Sequence, residues 1–341
     1  MIDLHVHLDG SLTPEQVFAL GKLQGVKLPG ESPAQLEPFL TASPDCESLN
    51  MYLRCFSLPV RVLQSEESLF LAVQDLAAQM AEQGLVYGEI RFAPQLHGEK
   101  GLTQMQAVKA ALRGLEQAKK EHPAFTGQLI LCCMRGGEEA ANRETLQVAA
   151  RTLGQGVCAV DLAGAEALYP TKAYAPLFAQ AARTGIPFTL HAGEAAGPES
   201  VWEALEMGAR RIGHGVRSRE DPRLVEVLAE RRIPLELCAT SNVQTKAVTG
   251  YEDFPLRAYV AKGLLATVNT DNMTVSGTTV AQEFRRLAIT LPEAEVLLHN
   301  SVQAAFLSEE QKAQLQAQVD GGLEGPAGGG PAGLGPPPEL P

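Results

Sequence analysis

Eight short β-rich runs recur along this 341-residue chain, most of them separated by helical segments, and no other feature restricts its fold as much. The runs cover residues 2–8, 85–92, 128–134, 157–162, 187–191, 211–214, 234–238 and 265–270. Between them, apolar residues fall at helical spacing among good helix formers over 69–83, 103–120, 138–153, 174–184, 199–207 and 222–231. Strands that alternate with helices run parallel, because each helix carries the chain back to the edge where the last strand began. Eight of them predict an α/β fold of the closed (β/α)8 kind, a TIM barrel. The competing arrangement is an open, doubly wound sheet.

The first connection breaks the rhythm. From Ser11 to Glu67 it is too long for one crossover helix, so helices are inserted after the first strand. Within it Leu49, Tyr52, Leu53 and Phe56 fall at i, i+3, i+4 and i+7, one apolar stripe. Such a stripe either packs on the barrel or lies as a lid over its mouth. From Gly321 onward 14 of 21 residues are Gly or Pro, which leaves too little apolar surface to bury. The expected organisation is one barrel domain over 1–319 and a disordered Gly/Pro-rich tail over 320–341.

A hydrophobic content of 45% lets a chain of this length bury a large core. A net charge of −12 argues against a nucleic-acid backbone or an anionic membrane surface as partner. The six cysteines are scattered without a CxxC pair, as expected of buried, reduced thiols. No charged-then-apolar leader precedes Asp3, and no apolar run reaches the ~18 residues of a membrane span. The expectation is a soluble, cytoplasmic protein, either a monomer or a weak homo-oligomer.

In a barrel the chemistry gathers where the strands finish. The first run finishes in His5-Val6-His7-Leu8-Asp9-Gly10, and alternation puts His5, His7 and Asp9 on one face if the strand continues through them. The fifth finishes in His191-Ala192-Gly193-Glu194, the sixth in Gly213-His214-Gly215 and the eighth in Asn269-Thr270-Asp271-Asn272. A hydrolytic zinc site takes three or four nitrogen or oxygen ligands and leaves room for water. His5, His7, His191 and Asp271 meet that demand and suit Zn²⁺ better than copper or an iron–sulfur cluster. Water bound there falls in pKa toward ~7 and becomes a usable nucleophile.

Glu194 stands three residues beyond a ligand, near enough to carry protons without binding the ion. Its alternative role is to cap the helix over 197–207. His214 is left to orient or deprotonate the water. The fourth run passes through Val160-Asp161-Leu162-Ala163-Gly164 without the lysine that bridges two metals in binuclear barrel hydrolases, so one metal per chain is expected. His97, His122 and His299 fall in loop or helix contexts and read as surface or structural residues.

Together the motifs resemble the adenosine deaminase family of metal-dependent amidohydrolases. They are HVHLDGSL (5–12), EIRFAP (89–94), DLAGAE (161–166), HAGE (191–194), RIGHG (211–215), CATSN (238–242) and NTDN (269–272), in the family's order over roughly residues 1–310. The resemblance implies a barrel that hydrolyses the exocyclic amine of a small purine nucleoside, adenosine and also 2′-deoxyadenosine, leaving inosine or its deoxy form and ammonia. It implies one Zn²⁺ on His5, His7, His191 and Asp271, and Glu194 as proton donor to the ring nitrogen beside the reacting carbon. His214 and Asp271 would hold the attacking hydroxide.

The resemblance also places His7, Asp9, Gly164 and Asn272 against the substrate. The Gly164 backbone would meet a second ring nitrogen, where a side chain would block close approach. Asp9 would accept the ribose 5′-hydroxyl, and the Leu49/Tyr52/Leu53/Phe56 stripe is similar to the family's hydrophobic gate.

Three positions depart from the family pattern. Asn272 stands where a second aspartate is common, and its amide can still donate to the five-membered ring. Ala165 replaces a frequent acidic residue, and Ala239 a frequent proline. The nearest competing reading is a sibling deaminase acting on adenine, methylthioadenosine or aminofutalosine; Asp9 favours a nucleoside with a free 5′-hydroxyl. Amide or phosphoester hydrolysis on the same barrel fits Glu194 and the Gly164 slot less well. A non-catalytic binder is disfavoured because every chemical position is filled.

Overall fold

Eight parallel strands form in the computed structural model, which describes residues 1–323. They are β1 (Ile2–His7), β2 (Tyr87–Phe92), β3 (Thr126–Met134), β4 (Val157–Ala163), β5 (Thr189–Ala192), β6 (Arg211–His214), β7 (Leu235–Leu237) and β8 (Ala266–Val268). Ladders run β1-β2-β3-β4 and β5-β6-β7-β8. Single bridges at Val160–Phe188 and Val6–Asp271 join the two halves. At the second seam the His7 N–H donates to the Asp271 carbonyl (2.7 Å), and the Asp271 N–H donates to the His5 carbonyl (2.8 Å). The sheet therefore closes on itself, and the open doubly wound alternative falls away.

The crossover helices form where the 3.6-residue periodicity placed them, with local signals that set their starts. Ser65 and Thr103 make capping boxes for Glu66–Glu82 and Gln104–Glu121. Asp221 accepts from the Arg223 and Leu224 N–H groups at the start of Pro222–Glu230. Leu69, Val73, Leu76 and Met80, spaced three or four apart, are the buried stripe of the first of these helices. Among the described residues no helix is long and apolar enough to cross a membrane. All six cysteines are free thiols.

Many barrels fill their interior with branched aliphatics; much of this one is filled by charge. Arg211 Nη2 lies 2.6 Å from Glu89, and its Nε pairs with Glu236. Arg91 lies 2.8 Å from Glu236 and 3.0 Å from Asp161. All five side chains are fully buried. Burial alone would raise the Glu236 carboxyl, but Arg211 and Arg91 outweigh it and hold the group well below the ordinary carboxylate range.

At the floor of the barrel Ile2, Leu4 and Tyr87 pack against Leu298 and Val302 and against Leu315 and Val319 of the last helix, Glu309–Leu323. That helix runs past the 319/320 boundary expected from glycine content, because Leu323 also packs on this cluster and carries Gly321 and Gly322 with it. The rest of the expected tail, 324–341, lies outside the described residues. Of the two roles expected for His97, surface or structural, the structure takes the structural one. The residue is buried, its ring centroid is 5.7 Å from that of Phe92, and burial lowers its pKa to about 4.

The interior network makes a stability prediction. Arg211→Ala leaves Glu89 and Glu236 short of their counter-charge and is expected to cost about 3–5 kcal/mol. Arg257→Ala breaks a half-exposed pair with Glu293 (2.7 Å) and should cost under about 1 kcal/mol. Urea titration of both variants measures the difference, and equal losses would contradict a structural role for the buried charges.

Candidate active site and metal centre

Three imidazoles and a carboxylate meet at the C-terminal mouth of the barrel. His5 and His7 sit two residues apart on β1, His191 lies on β5, and Asp271 follows β8. One donor atom from each lies within 4.8 Å of all the others. His7 Nε2 faces His191 Nε2 at 3.2 Å, and Asp271 Oδ1 is 3.4 Å from His5 Nε2 and 3.5 Å from His7 Nε2. Ligands ~2.1 Å from a tetrahedral ion stand ~3.4 Å from one another, so these spacings match the edges of such a shell.

The far side of two of the rings supports the same conclusion. His5 Nδ1 lies 2.7 Å from Glu236 and His191 Nδ1 lies 2.8 Å from Asp161. The Glu236 carboxylate accepts from the His5 Nδ1–H, which leaves the Nε2 lone pair of that ring directed at the other donors. His5 Nε2 is buried and has no hydrogen-bond partner in the protein, and the His7 and His191 Nε2 atoms face each other at 3.2 Å. The donor set fits a metal ion. A second group, His214, Cys238 and Asp271, shares Asp271. Its Cys238 thiol already donates to the Glu236 carbonyl at 3.4 Å.

Two of these residues hold left-handed backbone conformations, His214 at φ 59° and Asp271 at φ 61°. Such conformations cost roughly 1–3 kcal/mol each in non-glycine residues and persist only where the surroundings enforce them. For Asp271 the enforcement is the pair of hydrogen bonds that closes the barrel.

Glu194 and His214 face each other beside the donors, with Glu194 Oε2 3.6 Å from His214 Nε2. Thr245 donates to Glu194 Oε1 at 3.2 Å, and the Asn242 amide lies 3.1 Å from His214 Nδ1. Burial first, then the charges of Asp271 and Glu166, push the Glu194 carboxyl well above the ordinary range. Burial pushes His214 well below its usual value. The two shifts run in opposite senses, the carboxyl toward its neutral form and the imidazole toward its unprotonated one. Glu194 does not cap the following helix, Pro198–Met207, whose N-cap is Gly197.

A cavity of about 300 Å³ joins these groups to His7, Asp9, Gly164 and Asn272. Leu49, Tyr52, Leu53 and Phe56 all line it, while Leu49, Tyr52 and Phe56 also pack with Cys46 and Val275, so the stripe both lines the mouth and packs on the barrel. The stripe is not one helix: Leu49–Tyr52 is α-helical and Leu53–Phe56 is a 3₁₀ turn. Tyr52 anchors it, its hydroxyl 2.6 Å from Ser276 Oγ, and the Phe56 ring centroid lies 6.4 Å from that of His7.

Strand β1 ends at His7, so Asp9 reaches the cavity from a turn and not through strand alternation. Its Oδ1 is buried without a partner, and burial raises its carboxyl to about 6. Gly164 has φ +104°, while a Cβ there would find its nearest neighbour at an ordinary 3.4 Å. Backbone conformation, not crowding within the protein, explains that glycine. Asn272 is buried and packs over Gly10, where a Cβ would come within 1.8 Å of its Oδ1.

Several contributors escaped the sequence reading. Glu236 and Asp161 orient His5 and His191, Asn242 and Thr245 hold His214 and Glu194, and Glu166 binds the loop that carries Glu194. The available signal was a lone carboxylate inside an apolar strand, Glu236 between Leu235 and Leu237 and Asp161 between Val160 and Leu162.

Comparison with known proteins agrees with this geometry. The family model described as adenosine deaminase matches residues 1–321. An adenosine deaminase of Haemophilus ducreyi is 49% identical over 94% of this chain and 95% of its own length. One from Clostridium botulinum is 37% identical over 93% of this chain and 96% of its own. The crystal structure of an adenine deaminase from Arthrobacter aurescens superposes with a TM-score of 0.85 at 29% identity, covering 94% of this chain and 97% of that one. Both the match over nearly the whole chain and the level of identity place the protein: it belongs to the adenosine deaminase family.

Proposed function

We propose that this chain hydrolyses adenosine, and 2′-deoxyadenosine, to the corresponding inosine and ammonia, with one Zn²⁺ held by His5, His7, His191 and Asp271. The observation that carries the reading is a buried Glu194 carboxyl lining the same cavity as a cluster of metal donors. Three imidazoles and one carboxylate are a donor set suited to zinc. The ion, when bound, lowers the pKa of water toward ~7.

The residues divide the remaining work. Glu194 gives its proton to the ring nitrogen beside the amine-bearing carbon, which drains charge from that carbon and opens it to addition. The Asn242 amide oxygen is buried without a partner. Amide orientation is an assignment, and turned toward His214 this oxygen accepts the Nδ1 proton. Nε2 is then free to take a proton from the attacking water. The carbon gains the oxygen; the amine takes the proton held by His214 and leaves as ammonia as its bond to carbon breaks, and the added hydroxyl returns a proton to Glu194 as the carbonyl forms.

Binding groups surround that chemistry. The Gly164 backbone faces a second ring nitrogen, the Asn272 amide donates to the five-membered ring, and Asp9 accepts the ribose 5′-hydroxyl. The Leu49–Phe56 segment excludes bulk water, which strengthens each of these contacts.

Glu194→Gln keeps the shape of the acid but not its proton, and is expected to lower kcat about 10²–10⁴-fold with little change in KM. Steady-state kinetics on adenosine measure it, and undiminished turnover would remove Glu194 from the mechanism. Removing the 5′-hydroxyl from the substrate should lower kcat/KM by about 10–100-fold, the range for a hydrogen bond to a charged group. A panel of adenosine, 5′-deoxyadenosine, adenine and methylthioadenosine, followed by ultraviolet absorbance, makes that comparison. Indifference to the hydroxyl would favour a sibling deaminase.

A further inference from the structure

The reaction above gives no part to Glu166, yet five donors converge on its buried carboxylate. The Gly193 N–H reaches Oε1 at 2.7 Å and the Ser200 hydroxyl reaches it at 2.6 Å. The N–H groups of Glu194, Ala195 and Ala196 reach Oε2 at 3.0, 2.7 and 2.9 Å. Successive amides point at one anion only when the chain curls around it. The curl begins at Gly193, whose φ is +70° and where a Cβ would strike Val201 at 2.7 Å. Hydrogen bonds to a charged acceptor are roughly twice as strong as neutral ones. This carboxylate therefore fixes four consecutive peptides, and one of them belongs to Glu194.

The clamp is itself anchored on both sides of the cavity. Glu166 lies two residues beyond Gly164, so one short segment after β4 carries both the glycine that lines the cavity and the grip on the acid's loop. Ser200 Oγ is 2.7 Å from Thr171 Oγ1. Arg135 donates to that same threonine at 2.8 Å and to the His191 carbonyl at 2.6 Å. The loop of the acid is thereby tied to the strand end that presents a metal donor.

We propose that Glu166 is a positioning residue for the deamination: its carboxylate holds the Gly193–Ala196 loop so that the Glu194 carboxyl meets the purine ring nitrogen. The proposal rests on the reading of Glu194 as proton donor. Its consequence is energetic coupling between two carboxyl groups that do not touch the substrate in the same way, one reacting and one only holding.

The test is a double-mutant cycle on the metal-loaded full chain with Glu166→Gln, Glu194→Gln and the pair. Glutamine at 166 replaces one acceptor oxygen by an NH₂ group that faces amide donors, so the loop loses part of its hold. Glu166→Gln is expected to lower kcat for adenosine about 10–100-fold, the scale of a misplacement near 1 Å, with KM and metal content unchanged. The double variant is expected to be no slower than Glu194→Gln alone, because the loop matters through that proton.

Losses that multiply, or a Glu166→Gln enzyme with wild-type kcat, would overturn the clamp. Glu194→Gln with normal turnover would overturn the acid as well, which separates the two failures. If Glu166→Gln does not fold, Ser200→Ala removes one donor to the clamp and leaves the loop intact. A smaller fall in kcat at constant KM supports the proposal there, and wild-type kcat overturns it.

Discussion

A column of buried charge through the inside of the barrel decides where the reactive groups stand. Arg211 and Arg91 occupy the interior beside Glu236 and Asp161; Glu236 accepts a hydrogen bond from His5, and Asp161 lies 2.8 Å from His191 Nδ1. Taking five charged side chains out of water is costly unless each meets its opposite. Here the arrangement does meet that condition, and its upper edge is a pair of imidazoles, of which His5 directs an unpartnered Nε2 at the other donors. A cation is the group that completes the column. The closure of the sheet depends on the same place, since the β1–β8 seam is hydrogen-bonded through His5, His7 and Asp271. Fold and metal centre are one construction.

The electrostatics then split the carboxyl groups into two populations within a few ångströms. Although burial would raise them, the imidazoles around Asp271 and the His191 ring and Arg91 guanidinium beside Asp161 hold both well below the ordinary range. Glu194 and Asp9 lack such partners, and burial raises both. Carboxyl groups driven apart in this way supply an acid, Glu194, and an anionic ligand, Asp271, in one cavity. The hydrophobic stripe serves that division, because each of these shifts depends on keeping water out.

Much of this was legible in the sequence, and the limits are physical. Strand-helix alternation exposed the barrel because period 2 and period 3.6 are written in local order. The donors at His5, His7, His191 and Asp271 were visible because barrels bring strand ends together whatever lies between them. What stayed hidden was contact between residues distant in sequence. Glu236 meets His5 from 231 residues away, and nothing local to either announces it. Alternation would put Asp9 on the ligand face only if the strand continued through it; the strand stops at His7, and a turn brings Asp9 to the cavity. The stripe was read as one helix, whereas a 3₁₀ turn finishes it. Its side chains stay on one face because i and i+3 coincide in that geometry.

The central claim is that four donors from three strand ends converge on a single ion through nitrogen and oxygen alone. X-ray absorption at the metal edge of the purified, zinc-loaded protein tests it, with metal content measured on the same sample. The expected result is one ion per chain with only light-atom neighbours at ~2.0–2.1 Å. A sulfur neighbour at ~2.3 Å, placing Cys238 in the shell, or two tightly held ions per chain, would contradict it.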